Sequence, residues 1–284
     1  MSGTLILCAT PIGNLGDLSE RAADALASAD VIFAEDTRRT SKLLKHIGAS
    51  VPMKSFFAHN ERSRLPELAG HLENGETVVL VTDAGMPVVS DPGMSAVDTA
   101  VRKGARVTVV PGPSAVVTAL AVSGFEGDRF VFEGFLPRKG RERRAVIEAI
   151  GQEERTVVLF AAPGRVAGDL AQMAEHMPED RRVLIARELT KLHEEIWRGT
   201  VSQAADHWGS VETPRGEFTV VVEGAVRVPP DLESATDTAK HLISQGSTTS
   251  DAVRHVARST GVSRRELYDL IVNESANESA NESN

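Results

Sequence analysis

Short apolar runs alternate with amphipathic stretches along the first 110 residues. The runs at 4–9, 30–34, 77–82 and 106–110 are brief and rich in Val, Ile and Leu, which predicts strands buried on both faces. Between them, residues 19–28, 37–47, 61–74 and 94–103 repeat apolar positions at helical spacing. Such alternation implies βαβ units and a mostly parallel sheet. Asp17 or Ser19 is placed to cap the first helix, and Glu20 suits its positive end. A second α/β set follows, with strands expected at 129–133, 155–160, 182–187 and 217–223, and helices at 141–150, 165–177 and 200–208. The link over 111–128 begins Pro111-Gly112-Pro113-Ser114-Ala115 and continues as a helix of small residues, so the domain boundary is expected near 120.

The pattern changes again at residue 232. Three short helices are expected near 234–245, 248–259 and 263–272, with Ser250 near the start of the second and Ser263 before the third. The spacing of the last two permits a helix-turn-helix-like pair, although such pairs more often serve packing. The chain ends in an Asn-Glu-Ser-Ala repeat that cannot bury a core, so 273–284 is expected to be disordered. The expected organisation is therefore an N-terminal α/β domain over 1–120, a second α/β domain over 121–228, a helical module over 232–272 and a tail.

Composition narrows the class. The chain has 284 residues and 41% hydrophobic content, enough for a sizeable core. No apolar stretch reaches the roughly 18 residues that span a bilayer, and Met1-Ser2-Gly3-Thr4 lacks a charged leader. One cysteine, Cys8, sits in an apolar run, which fits a buried structural thiol and a reducing cytoplasm. A net charge of −9 argues against bulk nucleic-acid binding but leaves room for a local basic patch.

The most informative segment is Thr82-Asp83-Ala84-Gly85-Met86-Pro87-Val88-Val89-Ser90-Asp91-Pro92-Gly93, directly after a buried-type strand. Ligands of open α/β sheets bind beyond the carboxyl ends of strands. Glycines let the backbone come close to a ligand and prolines stiffen the loop. Four more loops share this character: Thr10 to Asn14, Glu35 to Arg39, Pro111 to Ala115 and Gly134 to Lys139. In a parallel sheet the first four of these five gather at one edge, and the fifth enters from the second domain. The cleft between the domains is then the expected ligand site. There is no G-x-x-x-x-G-K-[ST] loop, no G-x-G-x-x-G after a strand, no H-E-x-x-H, no cysteine pair and no G-x-S-x-G elbow. P-loop, zinc and serine-hydrolase chemistry therefore find no support.

Residues 138–144 read Arg-Lys-Gly-Arg-Glu-Arg-Arg, a local excess of positive charge that suits contact with a phosphate backbone. Arg38, Lys42 and Lys45 share one predicted helix face, with Arg39 beside them. Glu35-Asp36 and Asp83 end strands and serve either as bases and acceptors or as caps and ion-pair partners. Arg187-Glu188 and His193-Glu194-Glu195 read as structural pairs.

These motifs occur in one order, followed by Arg187-Glu188-Leu189-Thr190-Lys191-Leu192-His193-Glu194 and Arg215-Gly216-Glu217-Phe218. Over about residues 4–272 the chain resembles the ribosomal RNA small subunit methyltransferase I branch of the tetrapyrrole methylase superfamily. The resemblance implies two α/β domains with S-adenosylmethionine in the cleft between them, plus the small C-terminal helical module. It also implies a homodimer that methylates the ribose 2′-hydroxyl of a cytidine in the decoding region of 16S rRNA, in the small ribosomal subunit. Carried over by motif, the cofactor set is Pro11, Asp83, Ala84, Gly85, Met86, Val89, Ser114, Ala115 and Ala161. Asp36 is the expected base or ribose-positioning group and Arg38 its orienting partner. Arg138, Lys139, Arg141, Arg143 and Arg144 are expected to hold RNA phosphates. Many small-molecule members carry Gly-Asp-Pro where this chain has Gly85-Met86-Pro87, which disfavours the rival reading of a tetrapyrrole C-methyltransferase. A non-enzymatic ribosome-associated binding protein is the third reading.

Overall fold

The computed structural model describes residues 2–226 and 231–281, with side chains to Asn273. It divides into two compact units, Met1–Ala225 and Val226–Asn284. The larger unit holds two five-stranded sheets.

The first sheet is wholly parallel, in the order β3-β2-β4-β1-β5. Its strands are β1 (Thr4–Cys8), β2 (Val31–Ala34), β3 (Met53–Ser55), β4 (Thr77–Val81) and β5 (Arg106–Val110). Side chains alternate across a pleated strand, and two cores result. On one face α1 (Glu20–Ala27) and α2 (Thr37–His46) cover Cys8, Ile32, Val79 and Val81. On the other, α3 (Glu61–Glu73) and α4 (Met94–Arg102) cover Leu5, Phe33, Val78 and Leu80. Ser19 caps α1, accepting from the Ala22 amide at 3.2 Å. Cys8 is fully buried, and burial pushes its thiol up to about 12.

The second sheet has the order β6-β7-β10-β8-β9 and is mixed. Its strands are β6 (Phe130–Phe135), β7 (Thr156–Ala161), β8 (Arg182–Arg187), β9 (Glu195–Thr200) and β10 (Phe218–Val222). Only β6 and β7 run parallel. Three helices, α6 (Arg141–Gln152), α7 (Val166–Ala174) and α8 (Val201–Gly209), bury one face around Val157, Leu159, Ile185 and Trp208. The other face is covered by α5 (Ala115–Ser123) and by Ile12, which reaches over from the loop after β1. Because α5 packs on the second sheet, the chain changes sheets at Pro111–Ser114, before the expected boundary at 120.

The smaller unit is α9 (Leu232–Ser244), α10 (Thr249–Thr260) and α11 (Arg264–Asn281) around Ala239, Val253, Val256, Leu267 and Ile271. Thr248, not Ser250, caps α10, accepting from the Asp251 amide at 3.2 Å. The α11 backbone runs to Asn281, into the repeat expected to be disordered. Extending an existing helix avoids the cost of nucleating a new one. Glu282 to Asn284 lie outside the described residues.

One expected RNA contact is corrected here. Arg143 is buried, at 8% exposure, on the same face of α6 as Ile147 and Ile150. Its guanidinium meets Asp169 at 2.8 Å, Gln172 at 2.6 Å and the Pro137 carbonyl at 3.2 Å. Arg165 donates to the Leu136 carbonyl at 2.9 Å and the Pro137 carbonyl at 3.2 Å, and also reaches Asp169 at 3.5 Å. Two arginines and one buried carboxylate thus anchor the loop after β6. Replacing Asp169 with Ala leaves a buried guanidinium without its counter-charge. The expected loss is about 3–5 kcal/mol of stability, with a smaller loss for Asp169→Asn, both read from denaturant unfolding midpoints.

Candidate functional site

Every strand of the first sheet ends at the same edge, and the loops after β1, β2, β4 and β5 gather there. After β1 and β4 the chain reverses enough for an antiparallel bridge between Thr10 and Gly85, each amide donating to the other's carbonyl at 3.0 Å. Gly85 has φ 82°, the left-handed region that favours glycine. Beyond it Val88 and Ser90 take φ of 78° and 62°. Such backbone costs about 1–3 kcal/mol per residue and clusters where a loop serves a ligand. The loop is held at its end by Glu61, which accepts from the Gly93 amide at 3.2 Å and the Ser95 hydroxyl at 2.5 Å.

A cavity of about 400 Å³ lies between this edge and the second sheet. Met86, Val89, Phe135, Phe160 and Phe218 make apolar walls, and Ala84, Gly85, Ser114, Ala115, Ala161 and Ala162 keep them thin. Phe160 packs against Phe132 at 5.1 Å and Phe135 at 5.5 Å between ring centroids. The charged lining is mostly acidic: Glu35, Asp83, Asp91 and Glu217, with Arg39 as the cation. Asp83 donates its amide to Glu35 at 3.2 Å and pairs with Arg39 at 3.5 Å. Its Oδ1 is buried without a hydrogen-bond partner. Burial, and next the charge of Glu35, push Asp91 up to about 6. Glu35 is raised too, chiefly by burial. An acid-lined, aromatic-walled cavity with an unsatisfied carboxylate oxygen suits a ligand that carries cationic and hydroxyl donors beside a flat apolar group.

A second cavity of about 300 Å³ adjoins the first and shares Ile12, Arg39, Asp83, Ala84 and Glu217 with it. Among the described residues no cluster of His, Cys, Asp and Glu has the form of a metal site.

Residues 4–205 match the family model of the Tetrapyrrole (Corrin/Porphyrin) Methylases. A ribosomal RNA small subunit methyltransferase I from Synechocystis sp. is 42% identical over 273 residues, 94% of this chain and 97% of its own length. Its counterpart from Thermotoga maritima is 47% identical over 222 residues, covering 78% of this chain and 99% of its own. The chain belongs to the ribosomal RNA small subunit methyltransferase I family of tetrapyrrole methylases. Two solved structures share its fold. The methyltransferase CobJ superposes with a TM-score of 0.61 at 18% identity, covering 79% of this chain and 95% of its own. The uroporphyrin-III C-methyl transferase of Thermus thermophilus complexed with S-adenyl homocysteine gives 0.56 at 18%, covering 77% and 96%.

Of the cofactor residues expected for this family, Asp83, Ala84, Gly85, Met86, Val89, Ser114, Ala115 and Ala161 all line the larger cavity. Pro11 lines the smaller one. Asp36 and Arg38 line neither. Asp36 is the N-cap of α2, accepting from the Arg38 amide at 2.8 Å, and both its oxygens are bonded by the Arg38 guanidinium at 2.7 and 3.0 Å. Arg38's side-chain hydrogen bonds, then its amide, hold the Asp36 carboxyl well below the usual carboxylate range. Arg138, Lys139, Arg141 and Arg144 are exposed beside the Phe135 loop, unlike Arg143. Arg187 pairs with Glu195 at 3.0 Å and Lys191 with Glu188 at 2.7 Å, the structural roles expected of that segment. Glu35, Asp91 and Phe135 lie in loops expected at this cleft, but Phe160 and the closeness of Glu35 to Asp91 gave no sequence signal, since Phe160 lies within β7 and the two acids come from different strand ends.

Proposed function

We propose that the protein transfers a methyl group from S-adenosylmethionine to the ribose 2′-hydroxyl of a cytidine in the decoding region of 16S rRNA, on the small ribosomal subunit. Relatives named ribosomal RNA small subunit methyltransferase I, alike along nearly the whole chain, support the reaction class. The observation that carries the reading is the larger cavity, lined by eight of the nine residues expected to hold the cofactor. Those residues fit the group. The acidic lining suits its ammonium and sulfonium charges, the orphaned Asp83 oxygen lacks only a donor, and the phenylalanines offer apolar faces. A cytoplasmic homodimer is part of this reading; no helix among the described residues is long and apolar enough to cross a membrane.

Bound there, S-adenosylmethionine supplies an electrophilic methyl on a sulfonium that leaves as a neutral thioether without needing an acid. The chain must then orient the acceptor hydroxyl and take its proton. Orientation alone contributes on the order of 7–11 kcal/mol in favourable cases, which the rigid loops after β1 and β4 are built to supply. For the proton, the geometry favours Asp91 over Asp36. Asp91 faces the cavity and is pushed up to about 6, close to working pH, whereas Asp36 is committed to Arg38 and the α2 terminus. Asp36 with Arg38 then shapes the start of the helix that presents Arg39. Exposed Arg138, Lys139, Arg141 and Arg144 supply phosphate contacts outside the cavity.

Incubation with labelled S-adenosylmethionine and small subunits lacking the modification, followed by nuclease digestion, is expected to place label in 2′-O-methylcytidine. Label in another nucleoside, or none, overturns the reading. The rate of the wild type is expected to rise with pH through a limb near 6. That limb belongs to the coupled Glu35 and Asp91 carboxylates together, with Asp83, Glu217 and Arg39 also facing them. Asp91→Asn is expected to lower kcat by about 10²-fold or more and remove the limb, while calorimetry with S-adenosylhomocysteine shows cofactor affinity retained. Raised carboxylates also favour the protonated fold, so folding stability should decline as pH rises from about 4 to about 6, and Asp91→Asn should blunt that decline. Alanine at Arg138, Lys139, Arg141 and Arg144 together should weaken RNA binding and flatten its salt dependence.

A further inference from the structure

We infer that the smaller cavity receives a backbone phosphate of the RNA strand next to the target nucleotide, and that Lys42 is the group held ready for it. This rests on the methyltransferase reading above. The cavity's lining includes Gly13 from the loop after β1, Arg39 and Lys42 of α2, Asp83 after β4, and Lys191 and Glu217 from the loops of the second sheet. Its wall is firmly built. A Cβ on Gly13 would collide with Lys191 Cγ and lie 2.8 Å from Thr190 Oγ1, so the two loops touch with no room for a side chain. The Asn14 amide donates to Thr190 Oγ1 at 3.2 Å, and Thr190 itself sits at φ 65°.

The charges in this cavity are unequally spent. Lys191 is satisfied by Glu188 at 2.7 Å and Glu217 at 3.0 Å. Arg39 leans on Asp83 at a loose 3.5 Å. Lys42 has no ion pair or hydrogen-bond partner among the described residues. Arg39 and Lys42 are three residues apart on α2 and so share a face. An anion entering here meets one free ammonium and one guanidinium able to give up a long contact. A cation gains nothing from Lys42, and a neutral acceptor gains less than an anion does. Because Ile12, Asp83 and Ala84 line both cavities, a strand whose phosphate sits on Lys42 brings its ribose to the wall of the larger one. Charge is thereby divided: the larger cavity sets four carboxylates against Arg39 for the cationic donor, and the smaller sets Arg39, Lys42 and Lys191 against Asp83 and Glu217 for the anionic strand.

Lys42→Glu and Lys42→Met are compared with Lys45→Glu, which makes the same charge change one turn along α2 but outside both cavities. Three readouts are taken: KM for small subunits lacking the modification, the salt dependence of binding to a fluorescent single-stranded RNA of the decoding-region sequence, and calorimetry with S-adenosylhomocysteine. For Lys42→Met, KM is expected to rise roughly tenfold, the size of one charge-assisted hydrogen bond, and the log–log salt slope to fall by about 0.7, one single-strand phosphate contact. Lys42→Glu should do more, Lys42→Arg should restore most of the loss, and cofactor affinity should not move. Equal losses in the Lys45 variant would reduce the effect to general surface charge and overturn the inference. So would an unchanged KM and slope in the Lys42 variants of an active enzyme, with the methyltransferase reading left standing. A wild type that does not methylate small subunits lacking the modification removes both.

Discussion

The site depends on the pair of hydrogen bonds between Thr10 and Gly85. Parallel strands β1 and β4 lie side by side, and nothing in a parallel ladder continues past their ends. The reciprocal bridge closes the two departing loops onto each other. Gly85 permits it through a positive φ that an L side chain would resist. From that knot one loop sends Ile12 into the core of the second sheet, and the other runs through Val88 and Ser90 in strained conformations toward Gly134. Both cavities, and the apposition of the two sheets, follow from where these loops are pinned.

The alternation of strands and helices was legible because buried strands are short runs of β-branched and aliphatic residues, and eight of the ten strands stand where the apolar pattern put them. Two strands were not. β3 is three residues, Met53–Ser55, at the sheet edge behind Pro52, too short for any period to show. β9 is an edge strand whose sequence, Glu-Ile-Trp-Arg-Gly-Thr, is half-buried at every position except exposed Arg198 rather than cleanly two-sided. Edge strands lack a second neighbour, so their composition is under weaker constraint. The site divided in the same way. Loops rich in glycine and proline announced themselves after buried strands. The partnership of Glu35 with Asp91 did not, since it depends on β2 and β4 being neighbours, which no local pattern encodes.

Arg143 shows a signal that was present and outweighed. In a run of basic residues its charge invites a surface role. Yet it stands four and seven residues before Ile147 and Ile150, on the buried stripe of α6. Periodicity placed it inside, and the helix obeyed periodicity because Asp169 was there to neutralise it. Its neighbours Arg141 and Arg144 fall off that stripe and stay in solvent. The buried pair in turn fixes Leu136 and Pro137, so that a structural ion network sets the position of Phe135 in the cavity wall.

Asp36 and Asp91 make the same point in electrostatic terms. Both are aspartates in strand-end loops of the first sheet, and sequence alone ranks the one beside an arginine as the better catalyst. The arginine is what disqualifies it. A carboxylate bonded to a guanidinium and a helix N-terminus is stabilised as an anion and becomes a poor proton acceptor. Asp91 has burial and another carboxylate beside it, which raise its affinity for a proton to about the level that neutral-pH chemistry requires. The proton-accepting role we propose therefore falls to the acid with the least comfortable surroundings, on the strained loop that the Thr10–Gly85 bridge holds in place.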